Sequence, residues 1–205
     1  MRNGRVILKI PKIIHQIWLG PNEIPERLLS YRTVWKELHP DWEFWCWRDK
    51  DVPELVNQKL YDYVDTYSGR SDVLRYEIIY KHGGVYVDMD YMPFKNIEPV
   101  IKDLDFFINA DVVENWHEKC PNYFNASLYG AVPKHPLSEK LITNLPQWVM
   151  SQDHWADPCK QTGPLYTSYL FRNEDIVVLP PKTFNGEYAK HYFLGSWGKE
   201  WGFVK

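Results

Sequence analysis

The stretch from Ser68 to Asp90, SGRSDVLRYEIIYKHGGVYVDMD, leaves the chain few ways to fold. Val73, Leu74, Ile78 and Ile79 recur at helical spacing and mark one buried face. Ser71 reads as the helix N-cap, with Asp72 in the first turn, where a carboxylate suits the helix dipole. Gly83-Gly84 ends the helix, because glycine accepts the left-handed backbone that a C-cap needs. Val85-Tyr86-Val87 follows as a short strand, and Asp88 and Asp90 stand at its carboxyl end. In an open α/β sheet, ligands bind outside the carboxyl ends of the strands. If the strand continues, a period of two sends both acids to one side and Met89 to the other. Two carboxylates there suit a hard divalent cation. Asp72 and Arg75, three residues apart, share a helix face. One small volume then collects acids for a metal and a guanidinium for phosphate or sugar oxygens. A D-x-D triplet alone also reads as a solvated turn.

The flanking segments supply an alternation of strands and helices. Residues 13–18 form a strand, 25–38 a helix begun by Pro25 with Leu28, Val34, Trp35 and Leu38 inward, and 43–47 a second strand. Strand, helix, strand in that order implies a right-handed βαβ unit. A helix is expected over 56–66, strands over 105–110 and 125–131, a helix over 137–145 stopped by Pro146, another over 164–171, and a final buried strand over 176–179. The polar, aromatic segment 111–124 has no clear period and reads as a loop over an acceptor site.

S-D-x-L-R followed by G-G, a short apolar strand and D-x-D resembles the sugar-nucleotide site of the DXD glycosyltransferases. The similarity is to the family that includes the yeast initiating α-1,6-mannosyltransferase, capsular polysaccharide glycosyltransferases and the clostridial glucosylating toxins. Three other stretches carry the resemblance: I-I-H-Q-I-W-L-G at 13–20, the run from Asn125 to Pro136, and H-Y-F-L-G-S-W at 191–197. It implies a GT-A fold: Rossmann-like α/β, with a mixed, mainly parallel sheet flanked by helices. It further implies one domain over 1–205, with the segment 184–205 folding back over the site.

The resemblance also implies roles. Asp90 would be the leading ligand of Mn²⁺ or Mg²⁺, with His191 contributing; Asp88 would span ribose and sugar hydroxyls and reach the metal through water, while Asp72 and Arg75 would grip the sugar and its phosphate. Trp18 would stack on the nucleotide base, or else be core. Asp49 would approach base or ribose, or else cap a helix at 51–56. Asn125 would border the donor sugar, or else be a satisfied buried amide. Ser196 and Trp197 would lie near the diphosphate. His15 reads as a hydrogen-bonded structural histidine. The implied activity is retaining transfer of a hexose from a nucleotide diphosphate sugar, UDP- or GDP-linked, to a glycan, glycolipid or protein acceptor. The alternative is a non-catalytic module that binds sugar nucleotide or carbohydrate.

Composition narrows the partners. A net charge of −3 and no Lys/Arg run argue against nucleic acid. The 44% apolar content is ample for a core, and no apolar run reaches membrane-spanning length, so a cytoplasmic protein, or one peripheral at a membrane, without an integral membrane segment is expected. Cys46, Cys120 and Cys159 give an odd count with no C-x-x-C, consistent with a reducing compartment.

Overall fold

A computed structural model describes residues 8–111, 123–151 and 157–194. In chain order these form β1 (Ile13–Ile17), α1 (Glu26–Leu38), β2 (Glu43–Trp47), α2 (Gln58–Tyr63), α3 (Tyr67–His82), β3 (Gly84–Val87), β4 (Tyr91–Pro93), α4 (Glu98–Ile101), β5 (Phe106–Asp111), β6 (Tyr123–Ala131), α5 (Pro136–Met150), α6 (Pro158–Gln161), α7 (Pro164–Phe171), β7 (Val178–Leu179) and β8 (Ala189–His191). Six strands make one sheet in the order β2-β1-β3-β6-β5-β7, and β4 pairs with β8 in a small second sheet. β2 and β3 run parallel to β1, and β7 runs parallel to β5. β6 runs against both of its neighbours, so the sheet is mixed with five strands in one direction.

Alternation along β3 divides the core. Val85 and Val87 pack with Ile14, Trp35, Phe107 and Leu128 on one face of the sheet. Tyr86 points to the other face, where Val73, Leu74 and Ile78 of α3 meet Leu141 and Leu145 of α5. Two glycines make the α3–β3 junction possible. Gly83 sits at φ +66°, and a Cβ there would meet Pro133 Cδ at 2.6 Å; Gly84 sits at φ +96°, and a Cβ would meet the Ile13 carbonyl at 2.7 Å. Only glycine lets the helix stop and lie down at once beside β1.

Several sequence expectations are corrected. α3 begins at Tyr67 rather than after Ser71, because the Thr66 hydroxyl accepts from the Gly69 N–H and caps the helix earlier. α2 is shorter than 56–66. β7 is a two-residue, half-buried edge strand, with Val177 exposed. Residues 112–122, the greater part of the expected loop, lie outside the described residues.

Pro146 does not stop its helix: α5 runs through it. Proline has no N–H for the carbonyl four residues back. The Asn57 side chain supplies it, donating Nδ2–H to the Ile142 carbonyl at 2.9 Å. Asn57→Ala is therefore expected to cost about 1–2 kcal/mol, the penalty for orphaning a buried acceptor. Urea unfolding measures this. The combined variant Asn57→Ala/Pro146→Ala should regain much of the loss, because alanine restores the backbone N–H that Pro146 lacks and can donate it to the same carbonyl.

Candidate active site

The two acids reach one another by a turn rather than by a continuing strand. β3 stops at Val87, the Asp88 N–H donates to the Ser127 carbonyl at 2.8 Å, and the Tyr91 N–H closes a turn on the Asp88 carbonyl at 3.2 Å. Asp90 rides on that turn. The Tyr91–His191 register of β4 and β8 then carries His191 to it. His191 Nε2 lies 3.2 Å from Asp90 Oδ1, and the Leu194 N–H donates to Asp90 Oδ2 at 2.9 Å. Single ligand atoms of Asp88, Asp90 and His191 all fall within 4.8 Å of one another. Burial pushes both carboxyls up, and for Asp88 that effect wins. For Asp90 the His191 contact and the Leu194 N–H outweigh it, and the group sits below its ordinary range.

A second cluster backs the first. With α3 starting at Tyr67, Asp72 is interior to the helix and buried, not exposed in a first turn. Its Oδ1 lies 2.8 Å from Arg75 Nη2, and its Oδ2 accepts from the Thr162 hydroxyl at 2.6 Å. Burial raises its carboxyl to about 6, against the pull of Arg75 and Thr162. Arg75 Nη2 also faces Asp88 Oδ1 at 3.5 Å, while Nη1 donates to the Ala126 carbonyl at 3.0 Å. Burial disfavours the charge on Arg75, yet Tyr86, Asp72 and Asp88 around it hold the guanidinium protonated.

Tyr86 joins the site without having been among the expected residues. Its hydroxyl donates to Asp88 Oδ1 at 2.6 Å, and the Arg75 guanidinium lies 4.5 Å from its ring centre. The sequence carries a signal for it: with a period of two, positions 86 and 88 share a face.

The other expected site residues divide. Trp18 and Asn125 both line the cleft. Trp18 is also core, packed with Leu28, Tyr31 and Met89, and its indole N–H donates to the Asn22 carbonyl at 2.9 Å. Asn125 accepts from the Ser127 N–H at 3.0 Å. Asp49 does not line the cleft. Its carboxylate accepts from the Gly20 N–H at 2.8 Å, and no helix follows at 51–56 for it to cap, so it fastens the turn after β1. Ser196 and Trp197 lie outside the described residues.

His15 is structural. Nε2 meets the Gly83 carbonyl at 2.9 Å, and Nδ1 accepts from the Trp47 indole at 3.1 Å. Burial lowers its pKa from 6.5 to about 4. A histidine held neutral stabilises the fold fully above pH 6.5, and this is lost as pH falls from 6.5 toward 4, where the unfolded chain takes up a proton first. The contribution at stake is about 3 kcal/mol. Imidazole chemical shifts should show His15 titrating near 4, and unfolding free energy should fall across that window.

The cleft holding these groups has a volume of about 360 Å³. Two carboxylates and an imidazole converging at one end suit a divalent cation such as Mn²⁺, which accepts both oxygen and nitrogen donors. The Arg75 charge lies behind Asp88, and an indole forms part of the wall. The assembly suits a ligand with an anionic centre and apolar flat parts. No helix among the described residues is long and apolar enough to cross a membrane.

Comparison with known proteins agrees with this layout. The family described as "Glycosyltransferase sugar-binding region containing DXD motif" matches residues 25–107. Inositol phosphoceramide mannosyltransferase 3 of Schizosaccharomyces pombe is 29% identical over 170 residues, covering 79% of this chain and 45% of that protein. The initiation-specific alpha-1,6-mannosyltransferase of Candida albicans is 27% identical over 218 residues, covering 86% of this chain and 56% of that one. The chain thus spans about half the length of these curated relatives. Among solved structures, the PaToxG glycosyltransferase superposes with a TM-score of 0.68 at 16% identity, over 81% of this chain and 70% of its own. The UDP-bound glycosyltransferase domain from the YGT toxin does so with a TM-score of 0.56 at 11% identity, over 96% and 82%. These likenesses establish the GT-A glycosyltransferase fold.

Proposed function

We propose that this chain, whose residues 25–107 match the glycosyltransferase sugar-binding region containing a DXD motif, transfers a hexose from a nucleotide diphosphate sugar to a hydroxyl acceptor, using a divalent cation. The observation that carries the reading is the convergence of Asp88, Asp90 and His191 from two distant parts of the chain, with Arg75 3.5 Å from Asp88. The names of the curated relatives make mannose the first sugar to test and a glycolipid or glycan the first class of acceptor.

In this reading Asp90, Asp88 and His191 hold the cation. Bound there, it would act as a Lewis acid on the leaving diphosphate. Trp18 offers its indole face to the base. Asp72 and Thr162 fix Arg75 so that its charge stands close to the departing phosphate, a donor geometry suited to oxyanions. Asn125 borders the donor sugar. The bond between the anomeric carbon and the phosphate oxygen breaks, and its electron pair stays on the diphosphate. The bond from the acceptor oxygen to the anomeric carbon forms, and the acceptor's proton passes to a phosphate oxygen. That route retains anomeric configuration and needs no carboxylate nucleophile. All three acids of the described cleft wall are engaged with Arg75 or His191, in keeping with it.

Hydrolysis and transfer from a panel of UDP- and GDP-sugars, with and without Mn²⁺, tests the reading. Metal-dependent release of one sugar is expected, and the anomer of the product read by proton NMR should match the donor. Tight donor binding with no turnover on any acceptor would favour a binding module instead.

A further inference from the structure

Among the described residues, Phe193 is the exposed large apolar side chain that lines the cleft, 59% accessible to solvent. The chemistry above gives it no task. The chain nevertheless goes to some trouble to present it. Phe193 has φ +48°, a left-handed backbone that disfavours any residue but glycine. The strain is held by clamps on either side: the Tyr192 N–H donates to the Asp90 carbonyl at 3.2 Å, and the Leu194 N–H to the Asp90 carboxylate at 2.9 Å. Tyr192 stacks on Tyr31 with ring centres 5.4 Å apart, and Leu194 packs against the Trp18 cluster. Between them Phe193 is turned the other way, over His191.

The three rings form a column. Tyr91 and His191 stack at 4.2 Å with planes 13° apart, and His191 and Phe193 follow at 3.9 Å and 36°. The column rises from buried Tyr91 through the candidate metal histidine and ends on an exposed aromatic ring at the cleft. An aromatic face in such a place takes the C–H face of a sugar ring, an apolar surface rimmed by hydroxyls.

We infer that Phe193 is the stacking platform for the acceptor, and that the acceptor presents a pyranose ring to it. The inference rests on reading the cleft as a sugar-transfer site. In that reading the base has Trp18, the diphosphate has the acids and His191, and the donor sugar has the buried end near Arg75 and Asn125. The exposed ring beside His191 is left for the substrate that enters last, from solvent. Already stacked on the His191 ring at 3.9 Å, the Phe193 side chain loses little further rotamer freedom on binding.

The test uses methyl pyranosides (α-mannoside, α- and β-galactoside, α- and β-glucoside) as probes in saturation-transfer difference NMR. Each is measured with the full chain alone and with Mn²⁺ plus UDP or GDP. Ring C–H protons of at least one pyranoside should receive saturation from the protein. Phe193→Leu, which keeps bulk and loses the aromatic face, should weaken binding roughly tenfold, the size expected of an aromatic contact. Phe193→Tyr should restore it. Circular dichroism and unfolding temperature confirm that the variants are folded. Equal binding by wild type and Phe193→Leu, or no pyranoside bound under any condition, overturns the inference. The underlying reading fails separately, if neither UDP nor GDP with Mn²⁺ raises the unfolding temperature; Phe193-dependent pyranoside binding would then still establish the platform.

Discussion

Asp90→Asn is expected to lower metal-dependent turnover of a nucleotide diphosphate sugar by on the order of a hundredfold or more. The substitution is nearly isosteric. An asparagine oxygen can still accept from the Leu194 N–H, as Asp90 Oδ2 does at 2.9 Å, so the 189–194 segment should stay in place. What is lost is the charge that faces His191 at 3.2 Å and that would balance a cation. Because the cation's contribution grows as the diphosphate gains charge, kcat should fall more than KM rises. Initial rates at a series of Mn²⁺ concentrations check this. Rates within a few-fold of wild type at saturating Mn²⁺ would remove Asp90 from the metal site.

Arg75→Met should be the most damaging change to the fold itself, at about 3–5 kcal/mol, the range for stripping one partner from a buried ion cluster. Methionine fills similar space, so the loss is electrostatic. It leaves Asp72 and Asp88 without the cation that lies 2.8 Å and 3.5 Å away. It also frees the Ala126 carbonyl from its 3.0 Å donor. The pH dependence follows from Asp72. Its folded pKa is already raised to about 6 with Arg75 present, above the unfolded value of 3.8, and rises further without it. The Asp72 share of the deficit is then full above the variant's raised folded pKa and shrinks as pH falls toward about 6, below which Asp72 is neutral in both folded proteins and tolerates burial. Urea unfolding at pH 8 and at pH 5 should show the larger deficit at pH 8. A deficit under about 1 kcal/mol at both would mean that the cluster does not hold this part of the fold. Arg75→Lys keeps the charge but not the fork, and should recover only part.

Much of this site is legible in the residues themselves, and most of the parts that are not depend on long-range partners. Val73, Leu74, Ile78 and Ile79 mark the buried face of α3, and Gly83-Gly84 marks its end, because both are local effects. The spacing of Asp88 and Asp90 points them in a common direction, though through a turn rather than the pleat. Most of the exceptions arise where a distant partner decides the outcome, and one is a local competition between two caps. Ser71 reads as a cap because Thr66, which caps the helix, precedes a Tyr-Ser-Gly run with poor helix propensity. Pro146 reads as a stop because nothing near it in sequence announces that Asn57, eighty-five residues back from Ile142, will supply the missing donor. Asp49 reads as either a base or ribose contact or a helix cap, and its bond to the Gly20 N–H, twenty-nine residues away, is out of reach of local pattern. His191 is reached through the resemblance alone, since it needs the β4–β8 register to come near Asp90.

The central claim is that Asp88, Asp90 and His191 together hold a divalent cation at the diphosphate of a bound nucleotide. Crystals soaked with MnCl₂ and UDP or GDP, with data collected at the manganese absorption edge, test it most directly. The account predicts an anomalous peak within ligand distance of all three side chains, next to diphosphate density, with the base against Trp18. A nucleotide bound with manganese elsewhere, or bound in the cleft while those three side chains face only solvent and each other, would contradict it.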